Sequence, residues 1–332
     1  MIGAHLACAL LKRGYDVRAT ITEYDDINKT KRIFSYYSDD YLNLFNEIKW
    51  FETPLDDYTA LVEAATGANI VYFCCDIFLN QKFKPENQLE YIKNIISVLK
   101  ETNTEYFYYV NSLDSLGEEP EFKEINEKSQ RNPKGNYPKM SRLNFQCEME
   151  VWKALNEELK GCILNTGIVL GPGDWRYDSS RIFSLANSYG YYTKGVTGFV
   201  GIYDVIKCLM TLSRKKISGE KFILVAENLS YFQVMKMIAE NFNTVKKLKY
   251  AGKYRMALYK SCYFVKSLLI GRRPILDKNY FNKLTTFKLY SNAKSIGSLI
   301  IDYEDISEVV NKVCDIYTKD NTPEIKKFYK FT

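Results

Sequence analysis

The chain of 332 residues contains a single histidine, His5. A histidine-rich metal centre is thereby excluded, because zinc and related sites draw repeatedly on imidazole. A Ser-His-Asp relay is left with one candidate. His5 lies in an apolar helical pattern and reads as a structural or surface residue. The eight cysteines (Cys8, Cys74, Cys75, Cys147, Cys162, Cys208, Cys262, Cys314) include no C-x-x-C pair, and most sit in apolar segments such as Val71-Tyr-Phe-Cys-Cys75. They read as small buried hydrophobes, since disulfide frameworks belong to short secreted chains. No apolar run reaches the roughly 18 residues of a membrane-spanning helix. Met1–Leu11 is apolar, but no basic residue precedes it and no small-x-small cleavage site follows Lys12-Arg13-Gly14. It reads as a buried helix rather than a signal peptide, and the protein as cytoplasmic. No internal repeat and no low-complexity linker divide the chain.

Hydrophobic residues make up 46% and charged residues 26%, a globular balance. The first two-thirds alternates strand-like runs with helical patterns, the signature of βαβ units and a parallel sheet. Strands are expected at 16–21, 48–52, 69–75, 105–111, 161–166 and 221–225. Helices are expected at 4–12, around 60–65, and at 85–100, 141–159 and 203–212. Segment 69–75 is mostly apolar, as a strand buried on both faces would be. Farther on, 231–242, 255–269 and 306–317 read as helical. The net charge of +6 is uneven: residues 243–288 hold twelve Lys or Arg against one acid, Asp277, a local +11 that leaves −5 for the remainder.

Gly171-Pro-Gly-Asp-Trp175, following Asn165-Thr-Gly-Ile-Val-Leu170, resembles the Asn-Pro-Gly-x-x-x-Gly-Pro-Gly segment of extended short-chain dehydrogenase/reductases. Met1-Ile-Gly-Ala-His-Leu6 is similar to the end of their Gly-x-x-Gly-x-x-Gly turn, with Gly3 as the third glycine. Asp16-Val-Arg-Ala-Thr20 is similar to their second strand, and Val110-Asn-Ser-Leu-Asp-Ser-Leu-Gly117 to the strand ending in the catalytic serine. Glu148-Met-Glu-Val-Trp152 is similar to the helix after the catalytic tyrosine and lysine. Order and spacing hold from residue 1 to about 230, with the NAD-dependent epimerase/dehydratase and 3β-hydroxysteroid dehydrogenase-like branches nearest. The resemblance implies an α/β, Rossmann-like doubly wound parallel sheet, its first strand missing, with a smaller, mostly helical C-terminal lobe. The division it implies is 1–168 plus 196–226 for the dinucleotide-binding domain, and 169–195 plus 227–332 for the substrate lobe. It also implies NAD or NADP as cofactor.

The departures from the family pattern carry the functional reading. A strand and two glycines precede the equivalent of Gly3 in the family, and those glycines let the backbone approach the pyrophosphate. Because that strand lies mid-sheet, its loss would leave two neighbours with unpaired backbone groups at about 1–3 kcal/mol each where buried. The expectation is therefore a misassigned start, or a fold repaired by rearrangement. Counted from Trp152 and the run to Gly171, the family's Tyr-x-x-x-Lys falls on Met140-Ser-Arg-Leu-Asn144. Its tyrosine exchanges the substrate proton and its lysine lowers the tyrosine pKa and holds the nicotinamide ribose; neither Met140 nor Asn144 can do this. Tyr137 is the fallback acid, but its i+4 partner is Ser141. Tyr203 with Lys207 and Tyr290 with Lys294 do match the spacing, yet 27 tyrosines among 35 lysines yield about three such matches by chance.

Of the catalytic set, Ser112 remains, and its hydroxyl could equally satisfy a strand end. The cofactor contacts implied by the resemblance fall on Gly3, Cys75, Thr166 and Val169, all degenerate. Pro54 replaces an adenine-contacting Asp, and Asp76 follows Cys75 where two small residues are usual. The reading is an epimerase/dehydratase-type homologue with impaired or absent catalysis and doubtful cofactor binding. Its rivals are an active NAD(P)-dependent reductase or epimerase on a small carbonyl or nucleotide-sugar substrate, and a protein binding an anionic surface through Lys246–Lys288. A small-molecule substrate belongs to the active case; a homodimer is open, and no metal and no nucleic acid are expected.

Overall fold

The computed structural model describes residues 1–22, 25–74, 87–120, 123–176, 179–188, 191–252, 261 and 284–321. In chain order the elements are α1 Ile2–Leu11, β1 Arg18–Ile21, α2 Ile27–Ser35, α3 Tyr41–Asn46, β2 Lys49–Glu52, α4 Tyr58–Ala65 and β3 Ile70–Phe73. Then come α5 Gln88–Glu101, β4 Tyr106–Ser112, β5 Glu124–Ile125, α6 Lys139–Glu157, β6 Lys160–Thr166, β7 Ile168–Leu170, α7 Arg181–Ser188 and β8 Tyr191–Tyr192. The remainder is β9 Val196–Gly201, α8 Ile202–Lys215, β10 Glu220–Leu224, β11 Glu227–Ser230, α9 Tyr231–Asn241, β12 Lys249–Tyr250, β13 Leu289–Tyr290, α10 Ala293–Leu299 and α11 Ile306–Asn321. The helix expected over 255–269 lies, apart from Ser261, outside the described residues.

The chain divides into two units, 1–167 with 202–225 and 290–302, and 168–201 with 226–289 and 303–332. This differs from the division expected from sequence in two places. Strand β9 falls in the second unit because it pairs with β7 and β11. Residues 290–302 fall in the first, where Asn292 Nδ2 donates to the Val225 carbonyl (2.8 Å) and Lys294 Nζ to Glu220 (2.5 Å).

In the first unit a parallel sheet runs β10-β6-β4-β3, with Leu224 opposite Thr166, Tyr109 opposite Ile163 and Phe73 opposite Tyr109. Alternate side chains of a strand face opposite ways, and β4 uses both faces. Phe107 and Tyr109 join Ile92, Leu99 and Val151 of α5 and α6 in one core. Tyr108 faces the other way and donates its hydroxyl to the Leu212 carbonyl of α8 (3.1 Å). Gly161 is required where β6 opens: φ is +147°, and an added Cβ would collide with the Phe107 carbonyl.

Strands β1 and β2 pair in parallel, Ala19 opposite Trp50, but as a separate two-stranded sheet. Among the described residues no strand pairs with the second edge of β1 or of β3. The sheet is thus in two pieces at the place the family gives to a strand ahead of Gly3. Burial agrees: Ile70, Val71 and Tyr72 are only half-buried, not enclosed on both faces as expected, whereas Phe107, Tyr108 and Tyr109 of β4 are fully buried. Helix α1 packs through Cys8 and Leu11 against Phe34, Phe45 and Ile48. His5 is buried there, hydrogen-bonded through Nδ1 to the Tyr37 hydroxyl, so it is structural. Cys8, Cys74, Cys147, Cys162 and Cys314 are free, and burial pushes the Cys147, Cys162 and Cys314 thiols up to about 12. No described helix is long and apolar enough to cross a membrane.

The described residues of the second unit add short strands to helices α7, α9 and α11. The unit holds a three-stranded sheet, β11-β9-β7, antiparallel on one side of β9 and parallel on the other. The glycines of Val196-Thr-Gly-Phe-Val-Gly201 obscure the strand pattern of β9 in the sequence. Trp175, Phe183, Val234, Ile238, Val310 and Val313 fill its core. Trp175, from the Gly-Pro-Gly turn, donates its indole N–H to Asp320 (2.9 Å).

Extending the chain ahead of Met1 by an apolar strand of about five residues and a glycine turn should pair both open edges. The expected result is a higher urea midpoint with an increased m-value; an unchanged midpoint would show that the break is not a strand site.

Candidate active site

Helix α6 places polar residues on the stripe it buries. Ser141, Asn144 and Glu148 occupy the first half of that stripe, Val151 and Leu155 the second. A 3.6-residue period keeps all five on one face. The polar half meets the carboxyl ends of β4 and β6, where open parallel sheets place their sites.

Glu148, only 2% exposed, is the centre of this region. Its Oε2 accepts from Asn111 Nδ2 (2.9 Å), Ser115 Oγ (2.5 Å) and Asn165 Nδ2 (2.8 Å), and its Oε1 accepts from Lys221 Nζ (3.1 Å). A buried carboxylate persists only when so paired and hydrogen-bonded. The four donors come from β4, the turn after it, β6 and β10, so one charge ties α6 to three adjacent strands.

The expected site residues are arranged around that tie. Ser112, half-buried at the end of β4, spends its hydroxyl accepting from the Asp114 N–H (3.2 Å) and caps the turn 113–115. Its carbonyl accepts from Ser115 Oγ (2.9 Å) and Asn165 Nδ2 (3.3 Å). Met140 is half-buried in the first turn of α6. Asn144, one turn on, is buried; its Oδ1 accepts from Gln88 Nε2 (3.3 Å) and its carbonyl from Asn111 Nδ2 (3.4 Å). Gln88 Oε1 is buried and has no hydrogen-bond partner among the described residues.

Tyr137 has a different surrounding. The Arg131 guanidinium carbon lies 3.8 Å from its ring centroid, and its hydroxyl accepts from the Asn132 N–H (2.9 Å). Arg131 also donates to the carbonyls of Asp114 (3.4 Å), Ser115 (3.3 Å) and Ser141 (3.0 Å), clamping the loop ahead of α6 onto the turn after β4. Burial lowers the Arg131 pKa, against the opposing pull of Tyr137, Glu118 and Glu148.

Of the cofactor set, Gly3 is exposed in the first turn of α1, and an added Cβ would meet only Cys74 Cβ at 3.8 Å, an ordinary contact. Thr166 ends β6 with its hydroxyl donated to the Asn111 carbonyl (3.3 Å). Val169 is buried in the second unit, and Cys75, with Asp76, lies outside the described residues. Two chance matches go elsewhere: Tyr203 packs edge-on to Tyr37 at 5.8 Å and Lys207 donates to the Asp302 carbonyl, while Lys294 pairs with Glu220. Asn111, Glu148 and Asn165 stand in the family-like segments, but sequence reasoning gave them no role. Asparagine inside an otherwise apolar strand was the available signal.

Residues 1–209 match the model of the NAD-dependent epimerase/dehydratase family. The chain belongs to this family. Solved structures agree in fold. The UDP-glucose 4-epimerase of Thermotoga maritima, solved with UDP-glucose, is similar with a TM-score of 0.71 at 14% identity, covering 97% of each chain. The UDP-glucose 4-epimerase of Thermus thermophilus, complexed with NAD, gives 0.69 at 14%, covering 96% of each. A nucleoside-diphosphate-sugar epimerase from Pseudomonas aeruginosa gives 0.72 at 14%, covering 96% of this chain and 95% of the other. No curated protein sequence matches the chain.

The family implies NAD or NADP, and the described residues fit that group poorly. At position 144 a buried neutral amide, held by Gln88, occupies the place of the expected lysine ammonium. Position 140 offers a thioether with no proton to exchange, and the hydroxyls of Thr166 and Ser112 are turned to the backbone.

Glu148→Ala should cost about 3–5 kcal/mol, because it leaves the Lys221 ammonium without its ion-pair partner and takes the charged acceptor from three buried donors that keep only neutral acceptors. Urea unfolding measures it; a loss under about 1 kcal/mol would show that the network does not hold the three strands together.

Proposed function

We propose that this chain is a non-catalytic member of the NAD-dependent epimerase/dehydratase family, with the fold kept and hydride transfer lost. The observation that carries this reading is the buried Asn144–Gln88 amide pair (3.3 Å), where the aligned family position needs a cation. A lysine contributes both a charge for the ribose and an acidified tyrosine, and an amide contributes neither. Met140, one turn earlier on the same helix, removes the proton donor as well.

An active enzyme would need Tyr137 as its acid. Against that stand its commitment to the Arg131 clamp and to the Asn132 N–H, and a serine rather than a lysine four residues on. If the chain did turn over a substrate, the neighbours' chemistry makes a nucleotide sugar the first class to try.

Incubating the full chain with NAD or NADP and UDP-glucose, and following nicotinamide reduction and sugar inversion, tests this. The expected result is no turnover in the chain as it stands and no change in Tyr137→Phe, which loses only one hydrogen bond, worth about 1 kcal/mol. Turnover that disappears in Tyr137→Phe would make Tyr137 the acid and the chain an enzyme.

A further inference from the structure

The second unit carries an exposed aromatic ribbon. Strands β8 and β12 pair in parallel, Tyr191 opposite Lys249 and Tyr192 opposite Tyr250, and the Ala251 N–H continues the ladder to the Tyr192 carbonyl (2.9 Å). Each strand is two residues long, and both faces of so thin a ribbon reach solvent: Tyr191 is 52% exposed and Tyr250 45%. Phe232, at the start of α9 and 37% exposed, joins them, its ring 4.5 Å from that of Tyr192. Isolated exposed aromatics are ordinary, but a contiguous group of them marks an interaction surface.

Exposed cations lie beside the ribbon. The Lys194 ammonium lies 5.2 Å from the Tyr250 ring centroid, and Lys246 and Lys249 are exposed beside it. Lys236 is exposed on α9 and is met by Glu240 at 3.6 Å. In sequence, this ribbon opens the stretch 243–288, with its twelve cations and one acid. The complementary partner is therefore anionic and has an apolar layer beneath its charge.

We propose that the β8–β12 ribbon docks on the headgroup layer of an anionic phospholipid bilayer, with Tyr250 and Phe232, which share a face with Tyr192, entering the interface and Lys194, Lys246 and Lys249 meeting the phosphates. Tyrosine suits that depth because its ring is apolar and its hydroxyl stays wet. Single-stranded nucleic acid would also attract lysines and aromatics, but it needs free ring faces on which bases stack. Here Tyr192 is packed against Phe232 and Tyr250, and Tyr250 is covered by Lys194. The inference is independent of whether the family site has lost its chemistry.

Co-sedimentation of the full chain with vesicles of phosphatidylcholine alone, or with about a third phosphatidylserine, tests it. Binding is expected only to the anionic vesicles at low salt, with release near 1 M salt, where the Debye length falls to about 3 Å. The exposed triple variant Lys194→Gln, Lys246→Gln, Lys249→Gln should bind about 100-fold more weakly, each lysine near an anionic surface contributing about a factor of five. Phe232→Ser with Tyr250→Ser should weaken binding while its salt dependence persists. Circular dichroism of both variants confirms that they remain folded. No sedimentation at low salt, or sedimentation unchanged in the lysine variant, would overturn the proposal. So would tighter binding to single-stranded RNA than to the vesicles.

Discussion

The Glu148 carboxylate joins four elements that no apolar contact could align so narrowly. A hydrophobic face tolerates sliding, whereas a charge with four donors has few acceptable positions. Its partners sit on β4, the following turn, β6 and β10, so the stagger of three strands and the depth of α6 are set together. The positions of Ser112, Met140 and Asn144 follow from it. Asn111, next to Ser112, bonds both the carboxylate and the Asn144 carbonyl, and Asn144 lies one turn before Glu148. The chain thus buries a costly charge beside the candidate edge, while Ser112, Met140 and Asn144 at that edge are neutral.

The sheet shows a similar contrast. Strands β4 and β6 are packed on both faces, Phe107 and Tyr109 toward α5 and α6 and Tyr108 toward α8. Strand β3 has a partner on one side only, and β1 with β2 forms a separate pair. Arg18 helps tether that pair, donating to the Thr66 carbonyl (2.5 Å) at the end of α4. The four-stranded piece retains its own core, so order at the candidate edge does not depend on closing the gap.

Much of the first unit was legible in the sequence, because its helices and strands alternate with clear apolar periods and α6 carries a 19-residue run. The short helices α2 and α3 were not: α2 is polar-rich and α3 is only six residues long, and they are held mainly by Phe34 and Phe45. In the second unit β9 was hidden by its glycines and β11 by its four residues, Glu227–Ser230. At the site, it is the family resemblance that sets Met140 and Asn144 at the tyrosine and lysine positions. The Glu148 network could not be read from the sequence, since which strand ends a buried carboxylate meets is a tertiary fact. The role of Arg131 was hidden likewise: it reaches across ten residues to Ser141 and folds over Tyr137.

The central claim is that this edge lacks the charge and the proton donor that nicotinamide chemistry needs. Calorimetric titration of NADH and NADPH into the full chain, side by side with Met140→Tyr/Asn144→Lys, tests it most directly. The account predicts no saturable binding to the chain as it stands and a measurable gain in the double variant, whose lysine supplies the missing cation. A low-micromolar dissociation constant for the unaltered chain would contradict it.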